Sequence, residues 1–154
     1  MNVALHEARD FLEQVRIPIR LACLTPGGWP ALISLWYLYQ DGLLYCATQE
    51  SAKIIRYLEN NNQCAFEIAA DDPPYCGIRG KAIATVDDKL GEEMLEKLLL
   101  RYLGDTKNDL ARNLLAKKDA EVAIVLEPVS IYSWDFRKRM KDIGNGQSVD
   151  KVCP

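Results

Sequence analysis

Histidine is almost absent. The one histidine, His6, stands near the amino end, and no serine, cysteine or aspartate motif points to it, so a catalytic triad or a histidine metal site has almost nothing to draw on. The five cysteines, Cys23, Cys46, Cys64, Cys76 and Cys153, form no C-x-x-C pair, which leaves zinc ligation without a basis. Neither G-x-G-x-x-G nor G-x-x-x-x-G-K-[ST] occurs, which removes the usual signs of a Rossmann site or a P-loop. No apolar run reaches the roughly 20 residues needed to cross a bilayer. The first residues carry Glu7, Asp10 and Glu13, unlike the apolar stretch of a signal peptide. Basic residues form only one compact stretch, Arg137 to Lys141, against a net charge of -3, so polyanion binding has little support. These absences lead us to expect a soluble, cytoplasmic protein with no metal, no nucleic-acid partner and no membrane partner.

What is present fits one globular domain spanning residues 1–154, of which 49% are hydrophobic and 27% charged. Cys23, Cys46 and Cys64 lie inside apolar, strand-like runs, where a free thiol behaves as a small hydrophobe, and a reduced compartment fits. Residues 3–16 read as an amphipathic helix ended by Pro18. Three strands follow, over 19–25, 31–39 and 43–48, separated by Pro26-Gly27-Gly28 and Gln40-Asp41-Gly42, turn signals short enough for antiparallel hairpins.

A helix is expected over 51–60, then strands over 63–70 and 78–87, joined by a loop whose Pro73-Pro74 pair excludes a central strand. Residues 88–118 read as a helical insertion, with Gly104 closing its first helix. Two final strands, 120–127 and 129–135, are expected on either side of Pro128, before a polar tail over about 137–154. The tight turns and late helices predict a mainly β fold, an antiparallel barrel decorated by helices.

The segment Thr48-Gln49-Glu50-Ser51-Ala52-Lys53 lies between a strand end and a helix start. With Ser51 as N-cap, the free amides of the first turn, the hydroxyls and the Lys53 ammonium form a candidate phosphate cradle. Plain helix capping is the alternative. With no acid, base and nucleophile set of its own, such a chain would leave the hard chemistry to a cofactor.

The run IPIRLACLTPGGWPALISLWYLYQDGLLYCATQESAKIIRYLENNNQCAFEI resembles the FMN-binding split barrel of the pyridoxamine 5'-phosphate oxidase-like superfamily, especially its small flavin and deazaflavin oxidoreductases. The resemblance covers residues 11–87 and extends more loosely to EPVSIYSWDF. It implies a six- to seven-stranded antiparallel split barrel, a homodimer, and an FMN-dependent oxidoreductase acting on a small-molecule substrate or an electron donor such as NAD(P)H. It places Ile33, Ser34, Leu35 and Trp36 beside the flavin ring and Thr48, Ser51 and Lys53 on the phosphate. Arg79 is a candidate second contact with phosphate or ring, or else an outward strand residue.

Trp36, Tyr37 and Trp134 are candidate walls for a planar ring, with core or dimer interface as the alternative for each, favoured for Tyr37, whose side chain would point opposite to Trp36. Arg56-Tyr57-Leu58 and Asn61-Asn62-Gln63 depart from the commoner family pattern. Deazaflavin F420, haem, or a non-catalytic flavin-binding or stress-related protein are the alternatives. The catalytic residues are not identified.

Overall fold

The computed structural model describes residues 8–141 and 153–154; His6 and most of the polar tail lie outside them. The elements are α1 (Arg9–Gln14), β1 (Ile19–Leu24), β2 (Pro30–Leu35), β3 (Leu38–Gln40), β4 (Leu43–Gln49), α2 (Lys53–Asn60), β5 (Gln63–Ala69), β6 (Cys76–Asp87), α3 (Gly91–Leu103), α4 (Asp109–Leu115) and β7 (Glu121–Asp135), with a 3-10 turn at Lys118–Ala120. All strand pairings are antiparallel, in the order β2-β1-β5-β6-β7-β4-β3. The two edge strands, β2 and β3, follow each other in the chain with only Trp36 and Tyr37 between them. The seven-stranded sheet therefore curls until its edges come together, which makes it a split barrel.

Local chemistry explains the elements. The β3–β4 hairpin turns on Asp41 (φ 53°) and Gly42 (φ 83°), the left-handed pair that a two-residue hairpin turn of this hand requires. Gly104 ends α3 in the left-handed conformation, its N–H donating to Leu100 O at 3.0 Å, as expected of a C-terminal glycine. Inside the barrel, Ile19, Leu21, Leu44, Ile68, Ile78 and Ile124 are fully buried, each worth about 1.5–3 kcal/mol of transfer free energy. The free thiols Cys23, Cys46 and Cys64 are buried among them, as small hydrophobes. Burial pushes the Cys64 thiol up to about 11 and raises that of Cys46 as well, so both stay protonated.

Three expectations need correction. Residues 31–39 do not form one strand: the chain bends at Trp36-Tyr37, because Tyr37 drops into the core, where its OH donates to Leu12 O at 3.0 Å. Residues 120–135 do not break at Pro128. β7 runs on as one strand, with an irregularity in its pairing where Ala82 faces Pro128 and Lys81 faces Ser130. Pro128 is tolerated because the pairing of β7 with β4 ends at Leu126, so its missing N–H leaves no ladder bond unmade on that side. The helix expected from Ser51 begins at Lys53.

Cys76 and Cys153 form a disulfide across 77 residues of sequence, a pairing that no motif announces. No helix among the described residues is long and apolar enough to cross a membrane.

Candidate functional site

The corner between β4 and α2 is built by its backbone. Glu50 N–H donates to Ala120 O at 2.8 Å, and Ala52 N–H turns back to Gln49 O at 2.9 Å. This second bond puts Ser51 in the turn, so Ala52 is the N-cap and no side chain caps the helix. The expectation that Ser51 caps α2 is thereby overturned. Ile54, Ile55 and Leu58 anchor α2 to the barrel, no acidic residue occupies its first turn, and Lys53 is exposed. Among the described residues Lys53 has no ion pair. An uncapped first turn and an exposed ammonium suit an anion, although Glu50 stands in the same turn and, with Ser51, Glu59 and Asp88, lines a neighbouring cavity of about 740 Å³.

Beside this corner lies a cavity of about 420 Å³, within the usual range for small-molecule sites. One wall is the end of β2 and the bend, Ser34, Leu35 and Trp36; another is the end of β4, Ala47, Thr48 and Gln49. Leu95 and Leu98 of α3 and Leu110 and Leu114 of α4 close it on the side of the helical insertion. Four of the expected site residues, Ser34, Leu35, Trp36 and Thr48, therefore meet at one cavity. Ser51 and Lys53 lie in the turn and helix start that follow Thr48, whereas Ile33 packs against the barrel core. Trp36 stacks on Tyr102 of α3, ring centroids 5.0 Å apart and planes 9° from parallel, so one face of its indole is already occupied.

Arg79 and Trp134 belong to another place. The Arg79 guanidinium lies 5.1 Å from the Tyr132 ring centroid and 5.7 Å from that of Trp134. Arg79 lines a separate depression of about 580 Å³ together with Arg20, Leu32, Glu67, Lys81 and Tyr132. Arg79 is an exposed strand residue here. Leu32 and Tyr132, both more than half exposed, stand in this depression among the charged side chains of Arg20, Glu67, Arg79 and Lys81.

Sequence reasoning missed Glu121. It is the one buried polar or charged residue among those described, 6% exposed, and it lines the 420 Å³ cavity. Its partner across the β4–β7 ladder, Gln49, donates an amide N–H to its Oε1. Burial pushes the Glu121 carboxyl up, and the hydrogen bond from Gln49 offsets this only in part. A glutamate opening a strand reads as a solvated residue; only the position of the helical insertion over it reveals its burial.

The curled seven-stranded antiparallel sheet, with its helices and edge-strand bend, is a split barrel. Solved structures share this fold. An F420 reductase superposes with a TM-score of 0.68 at 20% identity, covering 80% of this chain and 94% of its own. A protein of Listeria innocua provisionally named a pyridoxamine 5'-phosphate oxidase gives 0.64 at 16%, covering 84% and 97%. An FAD-binding protein of Mesorhizobium loti gives 0.61 at 16%, covering 83% and 91%. No family profile and no curated protein sequence matches the chain. At these identities the likeness is one of fold.

Proposed function

We propose that the protein is an FMN-dependent oxidoreductase acting as a homodimer, with the flavin phosphate at the start of α2 and the ring along the end of β2. The observation that carries this reading is the α2 corner, where Lys53 is exposed and without an ion pair among the described residues, and the first helical turn has neither a side-chain cap nor an acidic residue. This donor set suits a phosphate, and no group of three or more His, Cys, Asp or Glu side chains among the described residues could hold a metal ion. Thr48 and Ser51 would add hydroxyl donors, and Lys53 the charge. Ser34, Leu35 and Trp36 would flank the ring.

When bound, the flavin supplies hydride transfer to or from a small substrate or NAD(P)H. The chain's own part is to anchor the phosphate, orient the ring, and exclude water with the leucines of α3 and α4. The sheet side carrying the exposed Leu32 and Tyr132 is the surface on which a second copy would sit. Within one chain Arg79 and Trp134 line or flank a separate depression, so as cofactor contacts they would serve the site of the other subunit.

The likeness to an F420 reductase favours deazaflavin F420 as the second reading, since it too carries a phosphate and a flat ring. The visible spectrum of the purified protein, followed by anaerobic addition of NADPH, tests the function. A flavin spectrum that NADPH bleaches, and that a substrate restores, is expected. A protein that neither retains nor takes up a flavin or a deazaflavin would end this reading.

A further inference from the structure

We propose that Gln49 selects the cofactor by its hydroxylated chain, the part between ring and phosphate, with the side-chain Oε1 of Gln49 accepting a hydrogen bond from one of those hydroxyls. The proposal rests on the cofactor reading and adds to it a residue that determines specificity.

The amide of Gln49 is held through its nitrogen. Nε2 donates to Lys117 O at 3.3 Å and also to Glu121 Oε1. A backbone carbonyl can only accept, so the bond to Lys117 O fixes which end of the amide faces it, whatever the charge on Glu121. Oε1 is left as a pure acceptor, and no N–H or O–H of the described residues donates to it. The surroundings hold this arrangement in place. Glu50 N–H donates to Ala120 O at 2.8 Å, Gln49 faces Glu121 in the β4–β7 register, and α3 begins hard against β7, where a Cβ on Gly91 would lie 1.9 Å from Glu121 O. An acceptor fixed before the ligand arrives loses little side-chain freedom on binding.

The cavity gives the donor's character. Gln49 lines the same 420 Å³ space as Ser34, Leu35 and Trp36, along which the ring is proposed to lie. In the chain it stands between Thr48 and Ser51, proposed for the phosphate. The portion of a flavin cofactor that joins those two places is a chain of hydroxylated carbons. No Lys, Arg or His among the described residues lines the cavity, whereas Glu121 does, so a phosphate gains nothing there and stays at the corner. An uncharged hydroxyl can turn its hydrogen towards Oε1, while a group that only accepts would meet it lone pair to lone pair. The leucines of α3 and α4 lining the cavity strengthen such a bond by keeping water from it. The rival account makes Gln49 a plain tie between β4 and the 3-10 turn.

Riboflavin and its pentyl analogue, which has the same ring and an equally long chain without hydroxyls, distinguish the two accounts. Neither carries a phosphate, so neither engages Lys53. In fluorescence titrations, Gln49→Met, which keeps the length of the side chain and removes the acceptor, should lower riboflavin affinity about fivefold and change that of the pentyl analogue by less than about twofold. Equal losses for both ligands would make Gln49 a structural tie, and an unchanged riboflavin affinity would leave Oε1 facing water; either result overturns the proposal. FMN keeps the two readings apart, because its affinity relative to riboflavin reports the Lys53 corner alone. A wild type that prefers FMN, with a riboflavin-to-pentyl ratio that ignores Gln49→Met, defeats the Gln49 proposal alone. A ratio that falls as expected, with no preference for FMN over riboflavin, defeats the phosphate assignment alone, and a wild type that binds none of the three defeats both.

Discussion

Lys53 and Glu121 each follow or begin a strand of the same ladder, yet water treats them oppositely. Lys53 is exposed to solvent, while Glu121 is buried under the helical insertion with a raised pKa. Linkage fixes the sign of the consequence. A carboxyl whose folded pKa is raised contributes stability that is fully present below its unfolded value of 4.5 and is lost as pH rises through the folded value. Glu121→Gln cannot ionise, so its stability relative to wild type should increase as pH rises above about 4.5. Urea unfolding at several pH values reads this directly, and a difference that stays constant across the range would show that Glu121 is solvated.

At this scale the family resemblance carried most of the site: it put Ser34, Leu35 and Trp36 beside the ring and Thr48 on the phosphate, and these four line one cavity. Tyr37, expected in the core or a dimer interface, is in the core, though at a bend and not within a continuous strand. What alternation cannot reveal is a contact made from elsewhere in the chain. Tyr102 occupying a face of Trp36, and the insertion burying Glu121, both depend on α3, which lies far away in sequence.

Among the elements, α3 does more than fill space. The Arg101 guanidinium donates to Leu12 O at 2.8 Å, Glu13 O at 2.7 Å and Val15 O at 2.6 Å, and so satisfies the carbonyls at the end of α1 that have no helical partner. It also lies 5.2 Å from the Tyr37 ring centroid. Arg101→Met should cost about 1–2 kcal/mol, chiefly through Val15 O, because Leu12 O keeps the Tyr37 hydroxyl and Glu13 O keeps Arg16, measured as a shift in the urea midpoint, and Arg101→Lys should recover only part of it, since a lysine cannot span three acceptors. A loss below about 0.5 kcal/mol would mean that water replaces the guanidinium.

The element boundaries follow the same logic. The hairpin at Asp41-Gly42 and the stop at Gly104 were legible because backbone conformation there demands particular residues. The continuity of β7 through Pro128 was not, because it depends on which neighbour β7 has lost at that point.

For the whole molecule, the fold class followed from short turns between apolar runs, while the closure of the sheet followed from an order in which consecutive strands occupy its two edges. Curling leaves one side of the sheet with Leu32 and Tyr132 exposed, the surface proposed for a second copy. Leu32→Glu should convert a dimer into a monomer in sedimentation velocity with little change in the circular dichroism spectrum, because the side chain is already solvated within one chain. A wild type that sediments as a monomer at all concentrations would remove the second copy from the account.

The central claim is that the corner between β4 and α2 holds the phosphate of a flavin-type cofactor, and comparing FMN with riboflavin, which lacks that phosphate, tests it most directly. In fluorescence titrations the wild type should bind FMN at least about a hundredfold more tightly than riboflavin, a difference of about 2.7 kcal/mol, consistent with charge-assisted hydrogen bonds to an anion. Lys53→Ala should remove most of that preference while leaving riboflavin affinity unchanged. Equal affinities for the two molecules in the wild type, or a preference untouched by Lys53→Ala, would contradict it.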